Sequence, residues 1–175
     1  VPPLTDRERD HRLVGEQSGR AVNPAGPDKT PKLGLPKSAL WLGGSGVIPF
    51  VCLSLAIPFA NGTLRPQLQF ALMAYGAAIL SFLGGIRWGV AIAEAARTED
   101  WLLRRLGLSV MPSLVAWASL LMPAKLGCLT LVIGLTAMWL LDILASRAGE
   151  LPSWYPGLRW PLTCVAVASL VTGFI

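Results

Sequence analysis

Arg87, Glu94 and Asp142 are the residues whose types and placement could do chemistry, because each is ionisable and falls within an otherwise apolar run. A charge near the bilayer centre costs roughly 2.5–3.5 kcal/mol even on lenient insertion scales, so each needs a partner, water or a route to the interface. Glu94 follows Arg87 by seven residues, which places both on roughly one helical face. Asp142 precedes Arg147 by five residues and shares their depth. We expect Arg87 to pair with Asp142 across helices, with Glu94 nearer the water. Charge-assisted hydrogen bonds in low dielectric would keep the pair ionised. Two readings follow. In the structural one the cluster fixes helix register or Arg87 reaches inner-leaflet phosphates; in the functional one Arg87 binds an anionic solute or the acids relay protons.

Other chemistry finds little support. The sole histidine, His11, lies in a polar N-terminal stretch, so the apolar part has no imidazole for haem, zinc or a hydroxyl nucleophile. Cys52, Cys128 and Cys164 fall in apolar runs at spacings that match no metal or redox motif, and read as small hydrophobes. Gly43-Gly44-Ser45-Gly46 enters an apolar helix without the lysine a phosphate loop requires. We expect no enzyme activity, no metal and no cofactor, while a bound phospholipid or quinone stays compatible with the sequence because neither demands so obvious a motif. The net charge of +5 comes with an arm of mixed sign that lacks a basic stripe or stacking aromatics, which argues against nucleic acid.

The elements that would carry these residues are membrane helices. Hydrophobic residues make up 53% of the chain and charged residues only 14%, against about a quarter in soluble domains. Residues 1–37 form an extended polar arm, and residues 38–175 an all-α transmembrane domain of five spans. A span needs about 20 apolar residues, and the candidates are 38–60, 67–96, 99–122, 125–146 and 160–175. Thr98 is a fitting N-cap for the third, with Glu99 and Asp100 at its positive end. Pro161 suits the first turn of the fifth. That span is short, so either the terminal carboxylate lies near the far interface or the natural chain continues.

Ala77, Ser81, Gly85, Gly89 and Ala93 recur every four residues along the second span. Such a row lets a neighbouring backbone approach, inside the bundle or on another protein. Pro49, Pro58 and Pro112 interrupt spans, which membrane helices tolerate when neighbours satisfy the freed carbonyls.

Short connections make the spans alternate. The arm contributes seven Lys/Arg, the 97–105 segment Arg97, Arg104 and Arg105, and the 147–159 segment Arg147 and Arg159. These twelve face only Arg65 and Lys125, which places the arm in the cytoplasm or matrix. Trp41, Trp101, Trp154, Arg159 and Trp160 read as anchors at that inner interface.

Residues 80–89, Leu-Ser-Phe-Leu-Gly-Gly-Ile-Arg-Trp-Gly, and 154–163, Trp-Tyr-Pro-Gly-Leu-Arg-Trp-Pro-Leu-Thr, carry a resemblance. They are similar to the transmembrane protein 69-like family, and the likeness runs from about residue 36 to 175. The resemblance implies a five-helix membrane domain in a mitochondrial or bacterial inner membrane, and brings no activity with it.

The arm holds too little apolar surface to order itself, so contact with neighbouring subunits is its expected role. A chain starting at Val1 is compatible with transit-peptide cleavage, although the arm is too acidic to be such a peptide. The function these features favour is a noncatalytic accessory subunit of a mitochondrial inner-membrane complex, respiratory chain or ATP synthase. It would contribute helix packing and lipid contacts, with its N-terminus in the matrix. The alternatives are a small transporter or channel built on Arg87, Asp142 and Glu94, a transient assembly factor, or either role in a bacterial inner membrane with a cytoplasmic N-terminus.

Overall fold

The computed structural model describes residues 37–93, 99–152 and 154–175, which are helical with short turns and contain no strand. The polar arm before residue 37, Glu94, Arg97 and Thr98 lie outside the described residues. The helices are α1 (Lys37–Ser45), α2 (Ile48–Ala56), α3 (Leu64–Ala93), α4 (Glu99–Leu121), α5 (Ala124–Arg147) and α6 (Tyr155–Thr172).

The first apolar stretch is not the single helix its composition suggests. Pro49 lacks the N–H that a continuous helix needs, and it sits in the first turn of α2 just after the break at Gly46–Val47. The Tyr75 hydroxyl donates to the Gly46 carbonyl at 2.8 Å, which satisfies backbone exposed there. After a 3₁₀ turn at Ile57–Phe59 the chain reverses through Gly62, whose φ of 56° favours glycine.

Tyr155 begins α6, five residues before the expected start, and Pro161 lies inside the helix. Two prolines compete for the first turn, and Pro156 takes it. Arg159 is thereby carried one turn into the bundle. At the other end of the link, Gly149 adopts φ 77° after α5 and the Glu150 N–H bonds back to the Ala145 carbonyl at 2.9 Å. That is a Schellman closure, and it fixes Glu150 against the neighbouring helix.

The long helix α3 runs through the middle and packs against α2, α4, α5 and α6. Leu72, Leu80, Leu131, Leu135 and Leu170 are fully enclosed between α3, α5 and α6. Close approach is built from glycines. A Cβ at Gly84 would lie 2.5 Å from the Ser109 carbonyl of α4, and one at Gly134 would lie 2.7 Å from Leu80.

Large apolar side chains also stand on the outer surface. Phe59, Phe82, Leu103, Leu108, Trp117 and Leu121 are all exposed. The stretch Lys37–Phe59, α3 and α5 are each long and apolar enough to cross a membrane.

Candidate functional site

Arg87 of α3, Asp142 of α5 and Arg159 of α6 meet at one end of the bundle. Each lies four to six residues from its helix terminus, about 6–9 Å along the axis. Arg87 Nη2 donates to Asp142 Oδ1 at 3.3 Å, and Arg159 Nε donates to Asp142 Oδ2 at 3.2 Å. Asp142 is 3% exposed and Arg159 8%. One carboxylate therefore serves two guanidiniums, one at each oxygen, and the three residues carry a net positive charge.

The hydrogen bonding of this cluster is incomplete within the protein. Arg87 Nε, Arg159 Nη2 and the Thr163 hydroxyl are buried and find no hydrogen-bond partner among the described residues. Unpaired buried donors normally cost free energy, more so when charged.

Two cavities flank the cluster. One, of about 350 Å³, lies between α3, α4 and α5, with Arg87, Trp101, Arg105 and Glu150 on its wall. Both guanidinium Nη atoms of Arg105 donate to the Glu150 carboxylate, and its cation lies 5.2 Å from the Trp101 ring centroid. The other, of about 300 Å³, lies between α1, α2, α3 and α6, with Arg159, Thr163 and Tyr155 on its wall.

One expected anchor turns inward. Arg159 is no interfacial anchor, because the early start of α6 turns it inward onto Asp142. Trp160 stacks on Trp139 of α5, with centroids 5.0 Å apart and planes at 43°. Trp154 packs edge-on against Tyr155 at 6.0 Å. Trp41 is 82% exposed. Glu94 lies outside the described residues.

The small-residue row also divides. Ala77 is buried and Ser81 partly so, but Gly85 and Gly89 have nothing within 4 Å of an added Cβ, and Ala93 is exposed. The packed side of α3 instead runs through Gly76, Leu80, Leu83, Gly84 and Ala91. Those positions share the side of Arg87, whereas Gly85 and Gly89 each stand about 200° around the helix from it.

Long apolar helices wrapped around a buried ion cluster define an all-helical membrane protein. Residues 35–175 match the family described as "Protein of unknown function (DUF3429)", and the chain belongs to that family. It is 42% identical over 143 residues to Transmembrane protein 69 of Xenopus tropicalis, covering 80% of this chain and 54% of that protein. It is 36% identical over 148 residues to Transmembrane protein 69 of Mus musculus, covering 80% and 56%. The chain thus spans about half the length of these relatives, and the resemblance carried by residues 80–89 and 154–163 is a true one. No solved structure matches it.

Proposed function

We propose that this chain is a noncatalytic accessory subunit of a mitochondrial inner-membrane complex, of the respiratory chain or ATP synthase. In this reading its five-span bundle presents one face of α3 to a neighbouring membrane helix. The observation that carries the reading is the open Gly85-x-x-x-Gly89 pair on the outward side of a 30-residue apolar helix. Small residues four apart let a second helix approach closely in a membrane. Among the described residues nothing fills that groove, while exposed Phe82, Trp88 and Ile92 flank it as knobs.

Five spans require α4 and α6 to cross as well. The charges of α4 are confined to Glu99, Asp100, Arg104 and Arg105, leaving 16 apolar or neutral residues, about 24 Å. The 18 residues of α6 extend about 27 Å. Both approach the ~30 Å of a hydrocarbon core. Removing the buried Arg159 from the inner-side count leaves eleven Lys/Arg against two, which supports a matrix-facing N-terminus. The mitochondrial address rests on the family resemblance.

Native electrophoresis of mitochondrial membranes in mild detergent, with mass spectrometry of the band containing this chain, tests the proposal. A stable high-mass band that is lost in the double variant Gly85→Leu, Gly89→Leu is the expected result. A small particle in the parent protein, or a band indifferent to those substitutions, would overturn it.

A further inference from the structure

We infer that the cavity between α3, α4 and α5 binds the head of a lipid-soluble quinone, with one ring carbonyl on Arg87. The charged side chains of its wall gather at one end. Arg87 of α3, Arg105 of α4 and Glu150 lie near helix termini, whereas Leu80, Val115 and Gly134 line the deep end. Arg87 supplies a reachable donor. Its side chain keeps 24% of its surface exposed, its Nε is enclosed and its Nη2 holds Asp142, which leaves Nη1 as the amino group open to the cavity. A guanidinium with spare N–H groups on an apolar wall asks for an acceptor oxygen.

Electrostatics makes the head group uncharged. Both arginines on the wall already bond a carboxylate, Arg87 that of Asp142 and Arg105 that of Glu150. A carboxylate or phosphate brought to Nη1 of Arg87 would stand beside Asp142, at a separation where like charges repel. A carbonyl oxygen satisfies the donor without adding a charge to the apolar interior.

Shape and polarisability select a ring. The volume of about 350 Å³ lies at the small end for ligand sites, and it suits a substituted six-membered ring with the start of its tail. Small side chains at Ala91, Gly134 and Ala137 make the room. Met111 of α4 and Met138 of α5 line it from two helices, and thioether sulfur packs favourably against π rings. Leu108, Met111 and Leu141 stand on the wall and are 69%, 52% and 45% exposed, so the cavity opens between α4 and α5 where lipid would lie. A prenyl tail leaves by that mouth. The groove at Gly85 and Gly89 is on the other side of α3, so this site and the proposed docking face stand or fall separately.

The test is photo-labelling of the purified full chain in zwitterionic-lipid nanodiscs with an azido derivative of a decyl-benzoquinone. Competitors are the parent decyl-benzoquinone, decylbenzene without carbonyls, methyl palmitate without a ring, and palmitate. Expected are saturable labelling on peptides of α4 and α5, competition by the quinone, and little by the other three. Substituting Arg87 could unfold the bundle by disturbing Asp142, so the deciding variant is Ala137→Phe. Ala137 is exposed and on the cavity wall, so a phenyl there occupies the ring's space while thermal stability holds. Its quinone affinity falls about tenfold or more, as for a pocket filled by its own side chain. Labelling that does not saturate, equal competition by decylbenzene or methyl palmitate, stronger competition by palmitate, or full affinity in Ala137→Phe would each overturn the assignment.

Discussion

At the scale of single residues, Asp142 is the pivot, because both of its oxygens are used by cations from different helices. Asp142→Asn leaves the buried Arg159 guanidinium beside the partly buried one of Arg87 without a carboxylate between them, and a loss of about 3 kcal/mol is expected. Equilibrium unfolding of the purified protein in detergent measures it, and a loss below 1 kcal/mol would show that the cluster does not hold the helices. The paired exchange Arg87→Asp with Asp142→Arg behaves differently in a triad than in a simple pair. It turns the introduced arginine toward Arg159, so we expect the double variant to remain as unstable as its worse parent. Adding Arg159→Met to that exchange should restore part of the loss in the same assay. The cost of an intramembrane arginine made a partner for Arg87 legible in the sequence, and Asp142 was the acid at matching depth. The third member was hidden by Pro161, which offers a helix start just after Arg159. The earlier proline, Pro156, was the available signal, since a helix begun there puts Arg159 one turn inside.

Among the elements, α3 shows how neighbouring glycines in one sequence take opposite roles. Gly84 faces the Ser109 carbonyl and Pro112, and Gly85, about 100° around the helix, faces outward. Gly84→Ala must push α3 and α4 apart and should cost about 1–3 kcal/mol. Gly85→Ala meets no atom and should be neutral or stabilising by up to about 1 kcal/mol, the helix-propensity difference. Thermal unfolding of the two single variants side by side checks the contrast, and similar losses in both would contradict the assigned faces. An unbroken small-residue row invites reading as the packed side. The decisive cue was Arg87, because a residue that must find a partner inside the bundle sets which side of its helix is inner. Leu80, Leu83, Gly84 and Ala91 share that side. The first apolar stretch was legible in extent but not in continuity, because the break at Gly46–Val47 also depends on Tyr75, 29 residues further along.

Over the whole molecule, the family match spans residues 35–175, so all but the end of the polar arm precedes it in sequence. Deleting residues 1–33 should leave the melting temperature of the bundle unchanged while weakening comigration with a large complex. A bundle that fails to fold without the arm would assign those residues to its core. The long apolar runs made the helical membrane class legible from composition alone. How many helices cross is less so, since α4 begins with four charges and α6 is short.

The Trp139–Trp160 stack gives the cluster an optical signature. Trp139 is three residues from Asp142, and Trp160 follows Arg159 directly, so the two indoles ride on the helices that the ion pair joins. Two such chromophores 5.0 Å apart and tilted at 43° couple their transitions into a paired circular-dichroism band. Rupture of the Asp142–Arg159 pair can therefore be followed by light, with no label added to the chain.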